Sequence, residues 1–151
     1  MPSIASVKLV FDQRGTLGVV EGGDSIGFDV RRFYFLTDFA EGAERGGHAH
    51  KRLRQCLICL RGHISVELVG AAGRYIFDLD SSESCLLIPP GYWRILKSKS
   101  PDSLVGVLAS EHYDEQDYIR DFDEFTRWMQ EEPEVPEVPY LSLARYVDSS
   151  Y

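Results

Sequence analysis

Short runs of alternating or β-branched apolar residues, each cut off by a turn signal, fill the first hundred or so positions of the chain. Segments 6–11, 16–21 and 28–36 are followed by 53–60, 64–69, 74–79, 85–88, 92–96 and 104–110, with an extended stretch around His48. Between them stand Asp12-Gln13-Arg14-Gly15, Gly22-Gly23-Asp24, Arg61-Gly62, Gly70-Ala71-Ala72-Gly73, Asp80-Ser81-Ser82 and Pro89-Pro90-Gly91. Such residues supply the backbone angles that reverse a chain. Strands at this spacing, with no helical period among them, predict an all-β sandwich or barrel. The period changes only near the end, where Phe122, Phe125 and Trp128/Met129 recur at helical spacing behind a cap at Asp121 with Glu124 three residues on. One short helix is expected there, its aromatic face on the barrel. Residues 131–139, EEPEVPEVP, read as an acidic, proline-spaced linker, and 140–151 as an apolar tail. The organisation expected is thus one domain over 1–130 and a linker and tail over 131–151.

Composition narrows the class. The 151 residues, 44% apolar, suit one domain with a sizeable core. The opening has no secretion-signal pattern, and no apolar stretch approaches the ~20 residues of a membrane helix. The expectation is a cytoplasmic protein that makes no use of a membrane. Cys56 and Cys59 invite a metal or redox reading, but on a strand residues three apart face opposite ways. Buried, inert thiols are expected. Of the net charge of −8, residues 111–137 carry −9, so the rest is slightly basic. An acidic whole argues against nucleic acid as a partner. Arg45, Lys51, Arg52 and Arg54, with no acid among them, suit either a small anionic ligand or a solvated basic strand edge.

The chemistry concentrates in Gly46-Gly47-His48-Ala49-His50-Lys51. Two histidines two apart on an extended chain face the same way. Gln55 and Gly62 follow, and Pro90-Gly91 with Arg94 forms a second element. This spacing resembles the two motifs of the cupin superfamily, a jelly-roll barrel whose metal-binding members offer three histidines and a glutamate. Here Gln55 stands for the glutamate and Arg94 for the last histidine. A neutral amide is a poor ligand and a guanidinium cannot be one, so a metal-free site is expected.

Asp12-x-Arg14-Gly15, Arg32-Phe33-Tyr34, Arg45 to Lys51, Gln55, Pro90-Gly91-Tyr92-Trp93 and Leu108-Ala109-Ser110-x-x-Tyr113-Asp114-Glu115-x-Asp117-Tyr118-Ile119-Arg120 together resemble one family. These are the sugar 3,4-ketoisomerases acting on dTDP-4-keto-6-deoxyglucose, and the likeness spans about residues 5 to 130. It implies a homodimeric cupin with no cofactor that works in deoxy amino sugar biosynthesis, ahead of a pyridoxal-phosphate aminotransferase. It implies proton transfer by His48 and His50, His50 as base, with Tyr34 donating a hydrogen bond or a proton. Arg14, Arg32, Arg45, Lys51, Gln55, Trp93 and Arg94 are the expected substrate-binding residues. The chain departs from the family pattern at Arg94-Ile95, where His-Glu is usual, and at Gly47, where a bulky residue is common. Two alternatives stand beside this reading, a 3,5-epimerase-like cupin on the same substrate class and a non-catalytic sugar-nucleotide-binding module.

Overall fold

A computed structural model of the chain describes residues 1–131. It resolves the alternating segments into β1 (Ser3–Ser6), β2 (Lys8–Asp12), β3 (Gly15–Val19), β4 (Arg32–Phe39), β5 (Glu44–His50), β6 (Gln55–Arg61), β7 (Ile64–Gly70), β8 (Gly73–Leu79), β9 (Ser84–Ile88), β10 (Trp93–Ser98), β11 (Ser103–Ala109) and β12 (Tyr118–Ile119). Strand β7 shows why. Ile64, Val66 and Leu68 are wholly buried, whereas Ser65, Glu67 and Val69 between them are only partly so. That two-residue period can serve only a sheet with one face on a core.

Two five-stranded antiparallel sheets result, in the orders β1-β9-β6-β11-β4 and β12-β5-β10-β7-β8. Their facing sides enclose the main core, to which Leu57, Cys59, Ile64, Val66, Leu68, Leu86, Ile88, Val105 and Val107 contribute. This is the all-β jelly-roll barrel the sequence predicted. The outer face of the first sheet is covered near β6 and β9 by Val7, which joins β1 to β2, and by the loop after β3, where Ile26 and Phe28 join it against Cys56, Cys85 and Leu87. Cys56 and Cys59 therefore serve different clusters, as strand alternation demands, and all three cysteines are buried and free.

The outer face of the second sheet is capped by α1 (Phe122–Glu131), where Phe125 packs with Ala49, Trp93 and Ile119. Asp121 caps the helix, its carboxylate accepting the Glu124 N–H at 2.8 Å. Three details differ from the sequence reading. The run 6–11 breaks at Val7, whose N–H turns to the Glu83 carbonyl (2.8 Å) and divides β1 from β2. Strand β4 starts only at Arg32, because 20–31 is a covering loop with Gly27 at φ +77°. A 3-10 turn (Glu115–Asp117) and β12, too short to carry a period, were not foreseen. The linker and tail expected over 131–151 begin one residue later at the earliest, because Glu131 closes α1; the rest of that stretch lies outside the described residues.

Candidate active site

Strand β5 owes its shape to Gly46 and Gly47. Both have positive φ, +100° and +68°, and a Cβ on Gly46 would lie 2.5 Å from the Arg94 carbonyl oxygen. Only glycine permits that approach. The pairing with β10 shifts there: His48 lies opposite Arg94, Gly46 opposite Ile95 and Arg45 opposite Leu96. Partners across a ladder share a face. The bulge therefore puts Arg45 on the same face as His48 and His50, where strict alternation would have sent it to the other side. Arg45 itself is exposed.

The two imidazoles meet edge to face, ring centroids 5.0 Å apart. The ring of Tyr118, which pairs with His50 in register, lies 4.3 Å from His50 and 5.0 Å from His48. His50 is 1% exposed, and its Nδ1 lies 2.9 Å from Asp117 Oδ2. Burial pushes the Asp117 carboxyl up, but the bond with His50 and the Arg52 N–H on Oδ1 (2.7 Å) outweigh it and hold it below its ordinary value. An ionised carboxylate can only accept, so Nδ1 of His50 carries the proton and Nε2 is left with its lone pair. Burial lowers His50 to about 4, with Asp117 opposing, and burial with the Arg94 charge lowers His48 to about 3. Both rings are neutral at pH 7.

Opposite them, from the first sheet, come Tyr34 and Arg32 on β4 and Gln55 on β6. Arg94 crosses the barrel to Gln55: its Nη1 donates to Gln55 Oε1 and its Nη2 to the Tyr92 carbonyl (2.8 Å). Gln55 Nε2 donates to the Tyr34 hydroxyl at 2.6 Å. Arg94 is 2% exposed, burial lowers it to about 10, and it remains a cation at neutral pH. The Nε of Arg94 and that of Arg32 are buried without a hydrogen-bond partner among the described residues. Arg32 stacks over the Tyr34 ring at 5.4 Å and the Tyr113 ring at 5.8 Å. Burial raises the Tyr34 phenol above its usual value, with the Arg94 charge pulling the other way. The barrel interior here thus brings together two neutral imidazoles, a phenol and a buried cation. That set can remove a carbon-bound proton and hold the oxyanion that results.

Of the residues expected at the site, His48, His50, Tyr34, Arg32, Gln55 and Arg94 are brought together. Trp93 is not. It alternates with Arg94 on β10, so it faces outward and packs on Phe122 and Phe125 beneath α1. Arg14 sits in the β2–β3 turn, exposed and paired with Asp12 (Nε–Oδ2 3.1 Å), with no contact to the histidines among the described residues. Lys51 touches the site through its backbone, its N–H donating to the Asp117 carbonyl at 3.0 Å. Asp117 and Tyr118, and Arg120 stacked over Tyr118 at 4.3 Å, were not singled out from the sequence. Their signal was the Tyr113 to Arg120 motif, whose charges read as surface until β12 docks beside β5. No group of three or more His, Cys, Asp or Glu side chains converges among the described residues.

Comparison with known proteins places the chain in context. The family described as FdtA, WxcM-like, C-terminal matches residues 2–130. A TDP-4-oxo-6-deoxy-alpha-D-glucose-3,4-oxoisomerase of Aneurinibacillus thermoaerophilus is 36% identical over 126 residues, 83% of this chain and 91% of the relative. The crystal structure of the sugar 3,4-ketoisomerase QdtA of Thermoanaerobacterium thermosaccharolyticum, solved with TDP, superposes with a TM-score of 0.82 at 34% identity, covering 87% of this chain and 96% of that one. A 3,4-ketoisomerase from Helicobacter canadensis gives 0.82 at 33% identity over 85% and 97%.

Proposed function

The chain belongs to the FdtA, WxcM-like C-terminal family, and from that premise we propose that it is a sugar-nucleotide 3,4-ketoisomerase, moving the keto group of a dTDP-linked 4-keto-6-deoxyhexose from C4 to C3. The observation that carries the catalytic assignment is the His50 Nδ1–Asp117 contact of 2.9 Å in a site 1% exposed at the imidazole. It leaves Nε2 as the group able to take the C3 proton. Loss of that proton gives an enediolate with its charge on O4, to which the Tyr34 hydroxyl and the buried Arg94 are suited. Return of a proton to C4, loss of the O3 hydroxyl proton and protonation of O4 complete the exchange. His48, 5.0 Å from His50 between ring centroids, is assigned as its partner in these transfers. An anionic substrate raises both imidazoles from their low resting values and so strengthens them as bases.

Arg45 and Arg32 serve the diphosphate, and no metal or cofactor takes part. The assembly is a homodimer: edge strand β4 exposes Phe33 and Phe35, and the hairpin exposes Val10, Phe11 and Leu17, apolar surface that a second copy would cover. The working site is cytoplasmic and the 3-keto product passes to a pyridoxal-phosphate aminotransferase. The test is turnover of dTDP-4-keto-6-deoxyglucose in deuterated water followed by NMR. A 3-keto product carrying deuterium at C4 is expected, at the same rate after chelator treatment. A retained 4-ketone with exchange at C3 or C5 would instead make the chain an epimerase, and binding without turnover a sugar-nucleotide-binding module.

A further inference from the structure

Gln55 is 2% exposed, and the two ends of its amide face different neighbours, Arg94 and Tyr34. Arginine has donors only, so the amide oxygen must face Arg94 and the amide nitrogen must face Tyr34. The amide nitrogen in turn can only donate, so the Tyr34 oxygen is obliged to accept. Among the described residues that is the one hydrogen bond of this hydroxyl, and its own proton is left pointing away from Gln55. We infer that Gln55, held by Arg94, is a positioning residue: the Arg94–Gln55–Tyr34 chain fixes the direction of the Tyr34 O–H so that it donates to the reacting sugar oxygen. The inference rests on the isomerase reading for the identity of that oxygen, but the direction of the bond does not.

A glutamate at this position would invert the device. Its carboxylate would keep the bond from Arg94 and accept the Tyr34 proton itself, turning the hydroxyl away from the substrate. Arg94 is its counter-ion, so the variant is expected to fold. Gln55→Met removes the amide without adding charge. The presence of a glutamate at this motif position in metal-binding cupins follows a different chemistry, in which the carboxylate is a ligand. Here the amide has a reason of its own.

The experiment is a double-mutant cycle of Gln55→Glu and Tyr34→Phe, with a phenol titration of the ligand-free proteins. Gln55→Glu is expected to lower kcat by on the order of 10²-fold with KM little changed. In the Tyr34→Phe background the same change should cost less than about 3-fold, because groups that act through one another are not additive. Tyrosinate ultraviolet absorbance, taken as the difference between each protein and its Tyr34→Phe counterpart, should show Tyr34 ionising at higher pH in Gln55→Glu than in the parent, with Gln55→Met in between. Equal losses of kcat in both backgrounds, or a Tyr34 titration unmoved by Gln55→Glu, would overturn the inference. The titration needs no turnover. If the parent does not isomerise the sugar but the phenol still shifts, the functional reading fails and the orientation stands.

Discussion

The barrel buries two polar clusters, one at each end of β10. At the Ser98 end, Ser98 Oγ donates to the Phe39 carbonyl (3.0 Å) and lies 2.9 Å from Ser103 Oγ, Ser100 Oγ lies 3.1 Å from Ser103 Oγ and accepts the His63 N–H at 2.8 Å. Every group there answers another, and the residues are small and neutral. At the Arg94 end, four residues away, a cation and two imidazoles face a phenol, and among the described residues the Nε–H groups of Arg94 and of Arg32 on β4 have no partner. A closed polar network fixes a turn; an open one holds donors in reserve at a cost in stability. The two ends of one strand thus differ in kind: small hydroxyls that bond to one another and to the backbone at one, charged and titratable groups suited to proton chemistry at the other.

Substitutions at the two ends should separate activity from stability. The largest effect is expected from His50→Asn, which keeps size and some hydrogen bonding but removes the base. kcat should fall on the order of 10²-fold or more with sugar-nucleotide binding retained by calorimetry. A folded His50→Asn protein with near-normal turnover would remove His50 from the mechanism. His48→Asn should act likewise, and the double variant should fall short of the product of the two losses. Asp117→Asn leaves the ring in place but can present an N–H to Nδ1, favouring the wrong tautomer. A kcat loss on the order of 10-fold or more is expected, below that of His50→Asn, with a shifted pH–rate profile that a merely structural role would not produce.

At the other end the readouts exchange places. Ser103→Ala leaves several buried partners short of a bond and should cost about 1–3 kcal/mol in denaturant unfolding while kcat stays as in the parent. His63, half-buried and paired with Asp78, should tolerate Asn in both measurements. A loss of turnover in Ser103→Ala without a loss of stability would erase the distinction between the clusters.

The smallest effect is a pH slope. The folded-state values of His48 and His50, about 3 and about 4, lie below the ordinary 6.5. Below pH 6.5 the unfolded chain therefore binds protons that the folded chain refuses. Stability is fully present above 6.5 and is lost as pH falls toward about 4. Tm should drop across that interval, and less steeply in the His48→Asn/His50→Asn variant. Parallel curves for parent and variant would mean that the imidazoles are not held neutral by the fold.

Local periodicity carried much of this by itself. A period of two assigned strands, set His48 and His50 on one face and divided Cys56 from Cys59; a helical period with Asp121 in front marked α1. The resemblance of a few motifs supplied the reaction. What neither could supply was which faces meet. Alternation is relative along one strand: it says that Trp93 and Arg94 diverge, but not that Arg94 is the one inside. It fails outright where Gly46 and Gly47 insert a bulge and return Arg45 to the histidine face. Asp117 reaches His50 across 67 residues and Arg94 reaches Gln55 across 39, contacts set by strand register and by the docking of a two-residue strand with no period to read. The sequence determined the strands and the kinds of chemistry available. The tertiary structure decided which groups share the barrel, because burial and pairing belong to the packed sheets and not to any segment alone.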